Sequence, residues 1–289
     1  MSLYQLNVSE GLLEPVMIAA FDGWVDGGRA GTLAAQALAE AGTSVATFNT
    51  DMLYDYRARR PVLDIIDGKL VELDWPKLEL TATRVGSKDL LVLTGPEPDY
   101  RWHEFREGVI GLARQLKVSS WVSLGAIPAT VAHTRPVPIL GTSSAPGLLP
   151  EGVTQGPVGN LRVPAAALSV LELSAAEVGI PAIGFYAQVP HYASGAFPTA
   201  ALELLKRVGQ YLDLELPVGE LPRQALETRS LLDAAVAGDE RTSAYVKRLE
   251  EMSDEARLPA GDELIADIER FLRDRGGDDG GNQGGGLPN

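Results

Sequence analysis

Short runs that are apolar at every position alternate along this chain with longer runs in which apolar residues recur every three or four. Residues 16–21, VMIAAF, contain no polar side chain. A strand apolar on both faces belongs in the middle of a sheet covered on two sides. Further strands are predicted over 45–49, 78–85, 90–94, 120–124, 137–142 and 182–189. Helices are predicted over 29–41 with Gly42 as a cap, over 164–178 closed by Gly179, and over 198–212. Another starts at Asp99 as its cap, with Trp102, Phe105, Val109, Leu112, Ala113 and Leu116 at helical spacing. Asp67-Gly68 between two apolar runs predicts a peripheral hairpin over 62–73. Strands alternating with crossover helices predict an α/β chain: a three-layer α/β/α sandwich around a mostly parallel or mixed sheet.

The texture changes after Pro217, where strand signals stop and Arg, Glu, Asp and Leu take over at helical spacing. The expected division is an α/β/α core over 1–217, a helical C-terminal extension over 218–275 and a Gly-rich tail over 276–289. Within the extension, Leu264, Ile265, Ile268, Phe271 and Leu272 form one apolar stripe over 261–273. The tail, GGDDGGNQGGGLPN, has too little apolar surface to offset its ordering entropy and is expected to be disordered.

Composition removes several classes of function. With 25 basic against 39 acidic residues the formal charge is −14, a field that repels nucleic-acid phosphates and anionic lipid heads, so neither partner is expected. No cysteine is present, which excludes disulfides, thiol nucleophiles and thiolate metal sites. The first residues lack a basic start followed by an apolar core, and no apolar run approaches the roughly 18 residues of a membrane span. A cytoplasmic protein is expected.

Candidate chemistry gathers at loops. Residues 23–30, GWVDGGRA, stand between a strand and a helix and invite a phosphate-loop reading. Arg29 and Ala30, however, occupy the positions where that loop needs Lys and then Ser or Thr. A tight turn packed between strand and helix is the alternative, with Gly27 and Gly28 as ligand-binding candidates. Asp26 is either a proton carrier or a helix cap, and Trp24 either a lid over a pocket or a packing anchor. His103 and Glu107 share a helix face without the second histidine of a zinc helix, so no metal is expected. The stretch 123–144, SLGAIPATVAHTRPVPILGTSS, holds His133 and Arg135 in a proline-broken loop, followed by Thr142, Ser143 and Ser144. Arg beside hydroxyls holds phosphate or carboxylate, and His transfers protons. The opposing reading has Arg135 paired with an Asp at a subunit or domain contact, and His133 merely hydrogen-bonded to a carbonyl. His191, after the last strand, is expected on the same sheet edge. No G-x-S-x-G nucleophile elbow occurs.

The segments GWVDGG, LTGPEPDYRWHEF, SLGAIPATVAHTRPVPILGTSS and PHYASGAFPTAALELL together resemble the proteasome assembly chaperone 2 family in its actinobacterial form, over roughly residues 10–215. The acidic helical C-terminal part is similar to extensions of actinobacterial members. The resemblance implies a fold similar to purine nucleoside phosphorylases, a tendency to oligomerise and, for eukaryotic members, chaperoning of proteasome α-ring assembly; a homo-oligomer, with a trimer as first expectation, and proteasome-related protein partners are expected here. Some chaperones of this class dock through a hydrophobic-Tyr-x tail. This chain ends Leu287-Pro288-Asn289, so that mode is not expected. No catalytic set is complete and no cofactor is implied. The leading expectation is therefore a non-enzymatic, assembly-chaperone-like interaction protein. The alternative is a hydrolase or phosphorylase-like enzyme, or a sensor, acting on a small anionic ligand at the strand-end crevice. In that reading Arg135 binds the anion, His133 or Asp26 moves protons and Trp24 closes the pocket.

Overall fold

The computed structural model describes residues 2–7, 11–157 and 159–256. The expected amphipathic segment 261–273 and the tail 276–289 lie outside the described residues. Strand β2 (Val16–Asp22) is the centre of the molecule. Its side chains alternate between two cores, as period-two geometry requires. Met17, Ala19 and Phe21 face one helical layer, α3 (Trp102–Gln115) and α4 (Ala167–Glu177), through Phe105, Val109, Leu168 and Leu171. Val16, Ile18 and Ala20 face the other, α1 (Ala30–Ala39) and α5 (Pro198–Leu212), through Ala34, Leu38, Leu204 and Val208. The three-layer α/β/α sandwich follows from that alternation.

The other strands are β1 (Tyr4–Leu6), β3 (Thr43–Phe48), β4 (Val62–Ile66), β5 (Lys69–Asp74), β6 (Glu79–Val85), β7 (Lys88–Pro96), β8 (Ser120–Ala129), β9 (Ile139–Ser143), β10 (Thr154–Gln155) and β11 (Ala182–Pro190). Among the described residues one nine-stranded sheet runs in the order β1-β3-β6-β7-β2-β8-β11-β9-β10. Its middle, β7-β2-β8-β11, is parallel. The flanks are not: β1, β3, β6 and β7 pair antiparallel in succession, and β9 runs antiparallel to β11. The sheet is thus mixed, because a tight turn at Gly86, with φ +57°, returns β6 directly onto β7 instead of through a crossover helix. Both edge strands are very short, which limits open backbone at the rims.

Several local expectations are met closely. The β4–β5 hairpin turns through Asp67 and Gly68, both with positive φ, as a two-residue hairpin loop requires. Others are corrected. Asp99 does not cap α3; its carboxylate accepts from the Asp55 amide and Arg59, and Arg101 precedes the helix in the left-handed region. Gly42 is not a left-handed cap either. A Cβ there would sit 2.3 Å from Thr81 Cγ2, so its smallness lets the end of α1 meet β6. The four-residue helix α2 (Thr50–Leu53), with β1 and β10, has no clear sequence signal.

Beyond α5 the chain adds α6 (Leu221–Ala237), packed on α5, and α7 (Glu240–Ala256), packed on α6. Leu221 anchors the first to the core, and Val246 and Leu249 are buried with Ala132. Among the described residues no helix is long and apolar enough to cross a membrane.

Helix α1 lies unusually close to the sheet: a Cβ on Gly31 would stand 2.6 Å from the Leu124 carbonyl oxygen. Gly31→Ala should therefore destabilise by about 1–3 kcal/mol through overpacking. Gly111→Ala in α3, where a Cβ meets nothing within 4 Å, should instead stabilise by up to about 1 kcal/mol. Urea denaturation midpoints of the two variants distinguish these opposite signs.

Candidate functional site at the strand ends

Strands β8 and β11 are parallel and in register, Ala129 opposite Pro190. The loops that follow them therefore leave the same sheet edge side by side. The His191 amide and ring Nδ1 both meet the Ala129 carbonyl, at 3.2 and 3.1 Å. In the first loop the His133 side chain turns inward and is 1% exposed. Its amide donates to the Tyr192 hydroxyl at 2.8 Å, its Nδ1 lies 2.7 Å from the same hydroxyl, and its Nε2 lies 3.1 Å from Asp233 Oδ1. For a neutral ring these contacts select one arrangement: Tyr192 donates to Nδ1, and Nε2–H donates to Asp233. Burial pushes the Asp233 carboxyl up, but hydrogen bonds from Arg229 and His133 outweigh it and hold the group below its ordinary range.

The next two residues continue onto α7. Thr134 donates to Glu250. Arg135 makes a two-pronged pair with Asp254, Nε and Nη2 at 2.8 and 2.7 Å, and approaches Glu250 at 3.5 Å. The His133, Tyr192, His191 and Tyr245 rings meet edge to face, the last from α7. Residues 133–135 thus latch the C-terminal helices onto the strand ends. The Arg135–Asp254 pair matches the opposing reading's Asp partner; His133 meets a hydroxyl and a carboxylate and not the carbonyl of that reading.

The glycine turn before α1 forms a separate assembly. Asp26 Oδ1 accepts from the amides of Gly31 at 2.8 Å and Thr32 at 3.3 Å, and Oδ2 from the Thr32 hydroxyl. Burial raises this carboxyl, against those hydrogen bonds. The helix N-terminus that an anion would use is therefore filled by the protein's own acid. Gly28 has φ +61°, and a Cβ there would lie 2.8 Å from Phe197 Cβ; one on Gly27 would lie 2.9 Å from Val189 Cγ2. Both glycines serve close packing of the turn against β11 and the start of α5. Trp24 is 69% exposed, so it is no packing anchor. Its amide donates to Glu97, whose other oxygen accepts from Ala167 at the start of α4.

Thr142 and Ser143 lie elsewhere again. Because β9 runs antiparallel to β11, Ser143 pairs with Ile183 near the start of β11, while Ile139 pairs with Ala187. These two residues therefore lie towards the sheet edge away from His133. They line a cavity of about 190 Å³ with Glu172 and Tyr186. Among the described residues His133, Asp26 and Thr142 share no hydrogen-bond partner. Among the described residues no cluster of three or more His, Asp or Glu offers a metal site.

A larger cavity, about 660 Å³, adjoins the latch between the β8–β9 loop, α5 and α7. Val131, Val137, Ile139 and Leu249 supply apolar walls, and Lys206 and Arg207 the cations. Arg207 is paired with Glu203 at 2.6 Å, yet its Nε is buried without an acceptor. Sequence reasoning missed Tyr192, Glu172 and Arg207. Only Glu172 left a readable trace, as an acid on the apolar stripe of α4 with Leu168, Leu171 and Ala175.

The model of the PAC2 family matches residues 20–236, from β2 into α6. The chain belongs to the PAC2 family. A Mycobacterium tuberculosis protein of unknown function, Rv2714, is 33% identical with a TM-score of 0.81, covering 87% of this chain and 91% of its own. The M. tuberculosis proteasome-assembly chaperone homologue Rv2125 is also 33% identical, with a TM-score of 0.70, covering 80% of this chain and 99% of its own. PbaB, an archaeal proteasome activator from Pyrococcus furiosus, is 16% identical over 81% of this chain and 99% of its own at a TM-score of 0.64, and shares the fold. No curated protein matches.

In this PAC2 family chain the latch predicts a local effect. Arg135→Ala should raise hydrogen exchange in 240–256 while the β2 and β8 amides keep their protection, with global stability changed by no more than about 1 kcal/mol, as for a partly exposed pair. Uniform loss of protection across the sheet would contradict it.

Proposed function

We propose that this PAC2 family chain is a non-enzymatic, assembly-chaperone-like protein that binds other proteins as a homo-oligomer in the cytoplasm. The observation that carries the reading is the β4–β5 hairpin. All its strand residues are exposed, and the register Leu63↔Leu73 and Ile65↔Leu70 places four apolar side chains on one face. Asp64 and Glu72 pair on the other. An isolated two-stranded hairpin is marginal in water, and such a face calls for a protein to cover it. A second copy of the chain is the occupant we assign, with three copies as the first expectation. Two further points support the reading. His133 and Arg135, the best candidates for chemistry, are engaged with α6 and α7. The proteasome-assembly chaperone homologue that this chain is similar to supplies the partner class, proteasome-related proteins. Absence of cysteine suits a reducing compartment.

Native mass spectrometry should find an oligomer, and Leu63→Glu with Leu73→Glu should yield folded monomers. A monomeric wild type overturns the oligomer. Capture with the full chain should recover proteasome-related proteins; failure to recover them, with an unchanged proteasome profile in a deletion strain, overturns the chaperone reading.

A second reading, recognition of a small anionic ligand with or without turnover, is favoured by Lys206 and Arg207 lining one cavity. Inorganic phosphate should then raise the melting midpoint of the wild type and not of Arg207→Ala, since a ligand bound only by the native state stabilises it. Equal shifts in both proteins reject this reading.

A further inference from the structure

The cavity at the start of β11 has a chemistry that neither reading uses. Glu172 projects from α4 into the space between α4, β9 and β11. Its Oε1 accepts from the Thr142 hydroxyl of β9, and its Oε2 from the Tyr186 hydroxyl of β11 at 3.2 Å. The Ser123 hydroxyl of β8 helps to hold the same carboxyl down, and Ser123 accepts from the Trp121 indole at 3.0 Å. Donors from two strands therefore converge on one acid. With their protons committed to Glu172, these hydroxyls present lone pairs to their surroundings. Among the described residues no Lys, Arg or His lines the space.

At Thr142 an anion would meet a hydroxyl whose proton is already given to Glu172, and the carboxylate itself. The sequence clears room for this acid. A Cβ on Gly184 would lie 2.5 Å from both Glu172 Oε2 and Thr142 Oγ1, and one on Gly125 would lie 2.7 Å from Tyr186 Cδ1. Leu173, Ala176 and Ala182 supply an apolar wall beside it. Burial pushes the Glu172 carboxyl up, against the three hydroxyls. A buried acid with hydroxyl donors and no cation beside it lacks a counter-charge.

We propose that this cavity binds a primary ammonium group carried on a short alkyl stem, the ammonium on Glu172 and the stem along Leu173, Ala176 and Ala182. A free alkylamine and a lysine side chain carry the same chemistry. The test uses the full chain and n-butylamine, followed by calorimetry or by amide chemical shifts in β9 and β11. Butylamine should bind at least about tenfold more tightly than n-butanol, as a charge-assisted hydrogen bond implies, and butyrate should not bind. Glu172→Gln should weaken butylamine at least about tenfold. Leu173→Trp, which blocks the mouth without touching the hydrogen bonds to Glu172, should abolish binding.

Affinity should also fall as the pH drops through the raised value of Glu172, because the proton and the ammonium compete for one carboxylate. Tyr186, the other titratable group in the lining, is pushed up by burial and stays protonated throughout. A lysine blocked at both backbone ends separates the two sources. If it binds as butylamine does, the site accepts a polypeptide side chain; if only butylamine binds, it takes a free amine. Absence of butylamine binding, equal affinity for butylamine and butanol, or indifference to both variants overturns the proposal.

Discussion

Parallel pairing of β8 with β11 is the constraint on which the rest of this molecule depends. It brings the ends of two strands that lie about sixty residues apart in sequence to one edge, opposite each other at Ala129 and Pro190. The loop carrying His133 then lies beside Tyr192, and the pair presents a polar surface to which α6 and α7 attach. Had β11 entered in the other direction, His191 and Tyr192 would emerge at the opposite edge and His133 would have no hydroxyl to meet. β9, which does run the other way, shows the consequence by carrying Thr142 and Ser143 to the far edge.

The attachment of the C-terminal helices is more specific than strong. Arg135 and Asp254 are partly exposed, and such pairs contribute about 0–1 kcal/mol. Burying Val246 and Leu249 contributes more, on the order of 1.5–3 kcal/mol each. The polar contacts decide where the helices sit, since His133, Thr134 and Arg135 each require a partner at one position on α6 or α7. A small apolar cluster with Ala132 does most of the holding. By contrast with β2, whose residues Val16–Phe21 are buried on both faces, α7 can be displaced without unfolding the body.

Three acids illustrate how one residue type takes different roles. Asp26 fills its own helix N-terminus, so the glycine turn that resembles a phosphate loop is already occupied. Asp233 completes a chain through His133 to Tyr192 at a half-exposed position. Glu172 stands among hydroxyl donors with space beside it. Family membership accounts for the scaffold, and roles follow from each acid's neighbours.

The sequence by itself determined the elements whose cause is local. The apolar run of β2, the Asp67-Gly68 turn, the helical stripe from Trp102 to Leu116 and the proline-opened α5 are readable because side-chain period and turn chemistry lie within a few residues. The capping role open to Asp26 was legible for the same reason, its partners being five and six residues away. Tertiary structure alone decided the direction of β9, the return of β6 onto β7, and the acids that meet residues 133–135, which lie 100 or more residues downstream. A strand's own pattern shows which faces are buried and carries no record of its partner or direction. That information exists only once distant segments have packed against each other, and here it separates Thr142 from His133 and gives each a different chemistry.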